Sequence, residues 1–205
     1  MNYAQLAFTD AVKNLQEKQG SRNGYDRMEK MSVVDGLTDN EISFIQDRDS
    51  FYMASFGENE FPYIQHRGGP KGFVKVIDDK TIGFVDFAGN KQYISAGNIV
   101  TNNNVAIIMV SYPHRARLKL YAKAKIVDLE NDQKLYELLK PEDYQFRPER
   151  MMVFEIQAYD WNCPQYITLR FTSEEIEEIL KPQKEYILTL ENKVKMLEEK
   201  LKDQK

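Results

Sequence analysis

Cysteine is almost missing from this chain: Cys163 stands alone among 205 residues. A single thiol excludes an internal disulfide framework, and with it the stapled scaffolds of small secreted modules. Histidine is nearly as scarce, with His66 and His114 only. Two imidazoles and one thiol leave little from which to build a zinc site, so no metal is expected. No apolar run approaches the roughly 20 residues needed to cross a bilayer. The stretch MNYAQLAFTD lacks the basic-then-apolar order of a signal peptide. These absences lead to the expectation of a cytoplasmic protein without membrane contact. Positive charge is not in excess either, since 28 Lys and Arg against 32 Asp and Glu leave a net of −4. Nucleic acid is therefore not an expected partner, and any anion site has to be local.

What the chain does contain is a series of short β-like runs. FYMASF, FPYIQH, GFVKVI, TIGFVDF, VAIIMVSY and RLKLYAKAKIVD fall between Phe51 and Asp128, separated by turn residues such as GEN and DDK. ISAGNIVTNNN interrupts them as a helix. After a further helix near Asn131 to Leu139, RMMVFEIQAYDW reads as a strand returning to the sheet. This order suggests a compact β-barrel rather than alternating βαβ units.

Helices are expected at both ends. Phe8, Val12 and Leu15 at helical spacing predict a short amphipathic helix docked on the body, ended by Gly20 and the breaker GSRNGY. Thr38 and Glu41 form the pattern of a capping box, with Ile42, Phe44 and Ile45 as the buried face. Thr172 and Glu175 repeat that pattern, and Pro182 is expected to interrupt or restart the helix. Beyond it Ile187, Leu190, Val194, Leu197 and Leu201 recur at spacings of three and four, flanked by Glu and Lys. Such a stripe serves either a helix folded onto its own domain or a coiled-coil seam with a second subunit. The chain divides accordingly into a lead-in (1–36), a barrel (37–171) and a helical extension (172–205).

Four segments carry candidate chemistry. In PYIQHRGGPKGF, Gly68 and Gly69 either permit a turn or let a ligand approach bare backbone, while His66 and Arg67 add donors suited to an anion or a ring edge. In VDFAGNKQYISAGN, Asp86 ends a strand, and Asn90, Lys91 and Gln92 stand near a helix start whose free amides favour phosphate. A solvated loop with one lysine has the same appearance. In YPHRARLKLYAKAK, alternation puts Arg117, Lys119, Tyr121, Lys123 and Lys125 on one strand face, opposite Leu118, Leu120, Ala122 and Ala124. DWNCPQYITLRF holds Trp161 and Cys163, which serve either as plain packing residues or, were a histidine in reach, as part of a thiol site.

These segments together resemble the FMN-binding split-barrel family related to pyridoxamine 5'-phosphate oxidase. The matching text is GSR, RDSFYMAS, PYIQHRGGPKGFVKV, DFAGNKQYISAGN, YPHRARLKLYAKAKIVD and DWNCPQYI, in that order from about residue 20 to 171. The resemblance implies a mainly β fold with peripheral helices: a six-stranded split β-barrel, dimeric, with FMN in each of two clefts between subunits. It implies that Lys75 and Lys91 lie at or near the phosphate, with Gln92 as a polar neighbour. It also implies that Arg117 meets the ring edge, that His66, Arg67 and Gly68 line the mouth, and that Trp161 and Asn162 approach from the partner subunit. Gly69, Lys71, Asp86 and Asn90 complete the implied cofactor set. No catalytic residue is identified.

The departures also bear on function. The oxidase ends in an arginine-leucine-histidine signature that grips the vitamin's phosphate, and nothing after residue 160 reproduces it. Vitamin B6 oxidation is therefore not expected. Tyr166 stands where the close branch carries a histidine in CPQHI, which removes or alters a proton-transfer role there. The expected function is an FMN-dependent oxidoreductase acting on an unidentified small molecule. A flavin-storing module without turnover, and a haem-binding split barrel, are the alternatives.

Overall fold

The structure, a computed structural model, describes residues 2–31 and 35–202. Two compact units are formed, one by residues up to Ser111 together with Arg115–Gln165, the other by Tyr112–His114 together with the chain from Tyr166 onward.

Seven strands make one antiparallel sheet in the first unit: β1 (Ser50–Phe56), β2 (Pro62–Gly68), β3 (Lys75–Asp78), β4 (Thr81–Phe87), β5 (Asn104–Ser111), β6 (Ala116–Val127) and β7 (Pro148–Asn162). Their order is β2-β1-β5-β6-β7-β4-β3. The expected count of six is thus corrected to seven. Lys75–Asp78 is short, ends where the Asp78 carboxylate accepts from the Lys80 amide, and pairs with β4 as a separate edge strand. Nor is the sheet closed by backbone hydrogen bonds, since β2 and β3 end the order.

Side chains show that the sheet is nevertheless rolled. Phe51 on β1 and Phe84 on β4 stand four places apart, a separation of about 19 Å in a flat sheet with strands ~4.8 Å apart. Their ring centroids are 5.5 Å apart. Phe73, just before β3, stacks on Phe51 at 5.9 Å, and Phe154 of β7 stacks on Phe84 at 5.9 Å. This aromatic cluster, with Met53, Leu118, Leu120 and Met152, fills the barrel. Edge-on and stacked pairs of this kind add about 0.5–1.5 kcal/mol each beyond their area.

The amino-terminal region departs from expectation. Instead of one helix there are three, α1 (Tyr3–Ala7), α2 (Asp10–Lys18) and α3 (Arg22–Lys30). Thr9 caps α2 through its side chain, which breaks the run, and α3 starts inside the supposed breaker GSRNGY. In the expected stripe Leu15 is 61% exposed, and Phe8 packs among the amino-terminal helices, edge-on to Tyr25 of α3 at 5.3 Å. Tyr3 docks on the sheet: it stacks on Tyr121 of β6 at 4.9 Å and lies under the Lys119 ammonium.

Helix α4 (Asp39–Gln46) begins with the expected Thr38 and Glu41 box. Glu41 is buried, and its other oxygen, which also accepts from the Asn40 side chain, accepts from the Trp161 indole N–H at 2.6 Å, which fastens α4 to the end of β7. Phe44 meets the same indole edge-on at 4.8 Å. Helices α5 (Ile94–Thr101) and α6 (Gln133–Leu139) fall close to their predicted places. In the second unit, α7 (Ser173–Lys202) runs through Pro182, which neither interrupts nor restarts it. A proline there removes one intrahelical hydrogen bond, a loss that 30 residues of helix absorb.

Candidate functional site

The densest polar cluster of the first unit lies where β2, β4, β7 and the start of α5 converge. Along β2, Pro62, Ile64, His66 and Gly68 are exposed while Tyr63, Gln65 and Arg67 are half-buried. That alternation aims Arg67 across the roll. Its Nη1 donates to Asp86 of β4 at 2.6 Å and its Nη2 to Ser95 of α5 at 2.8 Å. Ser95 in turn donates to Gln65 at 2.6 Å. Five places separate β2 from β4 in the sheet order. The ion pair therefore joins strands that ladder hydrogen bonds do not.

Asp86 is 5% exposed and faces Arg150, its partner in the β4/β7 register, at 3.6 Å. Burial pushes the Asp86 carboxyl above the ordinary range, and the Arg67 and Arg150 guanidiniums oppose that rise. Arg150 also pairs with Glu149 at 3.0 Å and covers the Tyr93 ring. The Tyr93 hydroxyl donates to Glu149 at 2.6 Å, which holds that carboxylate below its usual range and raises the phenol.

Above this cluster runs the Asn90, Lys91 and Gln92 loop, all three exposed. Lys91 (φ 62°) and Tyr93 (φ 56°) both adopt the left-handed region, which turns the chain sharply into α5. Tyr93 occupies the N-cap without supplying a side-chain cap. The first amides of α5 thus point out beside Lys91. The recess beneath is lined by Arg67, Asp86, Lys91, Gln92, Ser95 and Arg150, among others, and has a volume of about 50 Å³. That is room for an ion or a water or two, against the several hundred Å³ of a pocket that surrounds a small organic ligand.

Donors exceed acceptors here. Among the described residues three guanidinium Nε atoms are buried with no hydrogen-bond partner, and two of them, on Arg67 and Arg150, belong to this cluster, while the third, on Arg117, lies elsewhere. Buried guanidinium donors ordinarily find acceptors, so spare ones beside an exposed lysine and uncapped amides suit an anionic, acceptor-rich ligand.

The other sequence-selected residues lie elsewhere. Arg117 is on the outer face of β6, paired across the ladder with Asn162, and its Nη2 donates to the Cys163 carbonyl at 3.0 Å. His66 also faces outward, edge-on to Tyr52 at 5.3 Å. Trp161 and Asn162 point to opposite faces; the indole belongs to the α4 contact. Lys71 pairs with Asp47, and Lys75 lies half-buried on β3. Gly69 has an internal reason to be glycine: a Cβ there would come within 2.7 Å of the Phe73 ring. So the recess gathers Arg67, Asp86, Asn90, Lys91 and Gln92, and excludes His66, Lys71, Lys75, Arg117, Trp161 and Asn162.

A family model described as pyridoxamine 5'-phosphate oxidase matches residues 37–161, more than half the chain. This protein belongs to that family of FMN-binding split barrels. No curated protein sequence matches it significantly. Among solved structures it is similar to HupZ of Group A Streptococcus, at 14% identity and a TM-score of 0.50 over 66% of this chain and 100% of that one. It is also similar to an FMN-binding protein from Syntrophomonas wolfei subsp. wolfei, at 16% identity and a TM-score of 0.46 over 72% of this chain and 97% of that one.

For a split-barrel protein, sequence reasoning missed Gln65, Tyr93, Ser95, Glu149 and Arg150. Arg150 and Asp86 are 64 positions apart, and only the β4/β7 register unites them. Ser95 sits inside the predicted helix, three residues past the Asn90, Lys91 and Gln92 loop. Among the described residues, no three of His, Cys, Asp and Glu gather as a metal cage, and no helix is long and apolar enough to cross a membrane.

Proposed function

We propose that two copies of this chain bind FMN between them and use it as an oxidoreductase on a small molecule. The observation that carries this reading is the donor excess at the start of α5. Lys91 and the uncapped amides suit a dianionic phosphate, and the spare guanidinium N–H of Arg67 suits the acceptors beside it. When bound, FMN supplies reversible hydride exchange at its ring. The chain's own residues position it and tune its charge.

The shallowness of the recess supports a ligand completed by a second copy. Outward-facing Tyr52 and Phe56 of β1 and Ile64 of β2 are 45%, 41% and 67% exposed, with Ala106, Ile108 and Val110 beside them on β5. An apolar sheet face of this kind marks a protein interface. Arg117 and Asn162 border the same face, so pairing through it would bring them to a ligand held at a neighbouring recess. Arg117 there would favour the reduced, anionic flavin.

Calorimetric titration with FMN tests the reading. Lys91→Ala should weaken binding by roughly 1.5–3 kcal/mol, the usual worth of a charge-assisted hydrogen bond. Unchanged affinity would show that Lys91 is merely solvated. Reduction of the bound flavin by NADH or NADPH, faster than that of free FMN, would separate turnover from storage.

A further inference from the structure

Helix α7 is entered through reciprocal hydrogen bonds between Thr172 and Glu175, at 2.8 and 3.2 Å, and continues unbroken to Lys202. From Ile176 onward every described residue of it is exposed. Continuity through Pro182 extends the apolar stripe backward in register. With Leu180, Ile187, Val194 and Leu201 at a, the d positions are Ile176, Leu190 and Leu197, plus one polar member, Gln183. All seven apolar members are more than a third exposed. The seam spans 26 residues, about 39 Å at ~1.5 Å per residue.

Its composition selects a partner. The central a positions are β-branched (Ile187, Val194) and the central d positions are leucine (Leu190, Leu197), the combination that favours two parallel strands. Charge selects the same arrangement. The e positions hold Glu177, Lys184, Glu191 and Glu198, and the charged g positions are Lys193 and Lys200. In a parallel, in-register pair each g residue faces the e residue five places on in the other copy, so Lys193 meets Glu198 twice by symmetry. A fully overlapped antiparallel pair sets e against e and g against g, which opposes Glu177 to Glu198, offsets that with Lys184 against Glu191, and leaves Lys193 and Lys200 facing the uncharged Tyr186 and Ile179. Gln183 adds register: a shift by one heptad would bury it against Leu190 or Ile176.

We propose that α7 pairs with α7 of a second copy of this chain as a parallel, in-register two-stranded coiled coil. This pairing is independent of the flavin reading. The test uses the full chain with Cys163→Ser, carrying either Leu197→Cys in the seam or Leu188→Cys outside it, under mild oxidation at micromolar concentration. Only parallel, in-register pairing brings residue 197 beside its own copy, so Leu197→Cys should give mostly covalent dimer and Leu188→Cys little. Equal cross-linking at the two sites, or none at position 197, overturns the proposal. In the Leu197→Cys chain, Lys193→Glu should slow cross-linking about fivefold, from two surface pairs of ~0.5 kcal/mol each. Adding Glu198→Lys should restore the rate, and failure to restore it overturns the parallel register.

Discussion

Replacing Asp86 with asparagine tests how the barrel is closed across the gap that ladder hydrogen bonds leave. Asp86 is 5% exposed, and the side chains of Arg67 and Arg150 are 13% and 15% exposed. Asparagine preserves the shape but leaves two nearly buried guanidiniums facing a neutral amide. Removing one member of a buried ion pair costs about 3–5 kcal/mol, mostly because the surviving charge is stranded. Arg67 keeps its bond to Ser95, which places the expected cost near the lower end, about 3 kcal/mol. Urea unfolding of the intact chain is the assay. With a slope of roughly 2 kcal/mol per molar, the midpoint should fall by about 1.5 M. The specific interaction is isolated by a double-mutant cycle with Arg67→Met. If the pair closes the barrel, the second substitution costs much less in the Asp86→Asn background, with a coupling of about 2 kcal/mol. A coupling below about 0.5 kcal/mol would refute the reasoning, because the two changes would then be acting independently.

Three further outcomes follow from other contacts. Burial works against the Glu41 carboxylate, but hydrogen bonds from Thr38, Trp161 and Asn40 outweigh it and hold the group below the ordinary glutamate range. Its contribution is therefore complete above the unfolded glutamate value and lost as pH falls through the folded one. The stability difference between the natural chain and Glu41→Gln should accordingly shrink on acidification; a gap that widens contradicts this. Gly69→Ala puts a methyl 2.7 Å from the Phe73 ring and should cost about 1–3 kcal/mol in urea unfolding, and an unchanged midpoint would mean the loop yields freely. Arg117→Gln should leave folding intact and lower the potential of bound flavin, since a positive charge favours the anionic reduced form; an unaltered potential would remove Arg117 from the ring.

Much of the fold was legible because its signals are local. Alternation placed Leu118, Leu120, Ala122 and Ala124 inward on β6, and the Thr38 and Glu41 spacing marked the start of α4. The amino-terminal helices were misread because the stripe of Phe8, Val12 and Leu15 is local too, whereas docking rests on Tyr3 meeting Tyr121 across 118 positions. Within the candidate site, Lys91 and Gln92 were visible as a basic turn before a helix. The Arg67–Asp86–Arg150 cluster was not, because strand register alone assembles it. The glycine-rich turn carries two meanings that no sequence pattern separates, a permitted turn or bare backbone for a ligand, and the close approach of the Phe73 ring at Gly69 is a further demand that only packing shows.

The central claim, that donors around the start of α5 hold a phosphorylated flavin, is tested most directly by incubating the purified chain with excess FMN, desalting it, and recording its visible absorption. The account predicts a yellow protein retaining one FMN per chain, with a ring spectrum shifted from that of free FMN. A colourless protein, with all FMN in the small-molecule fraction, would contradict it.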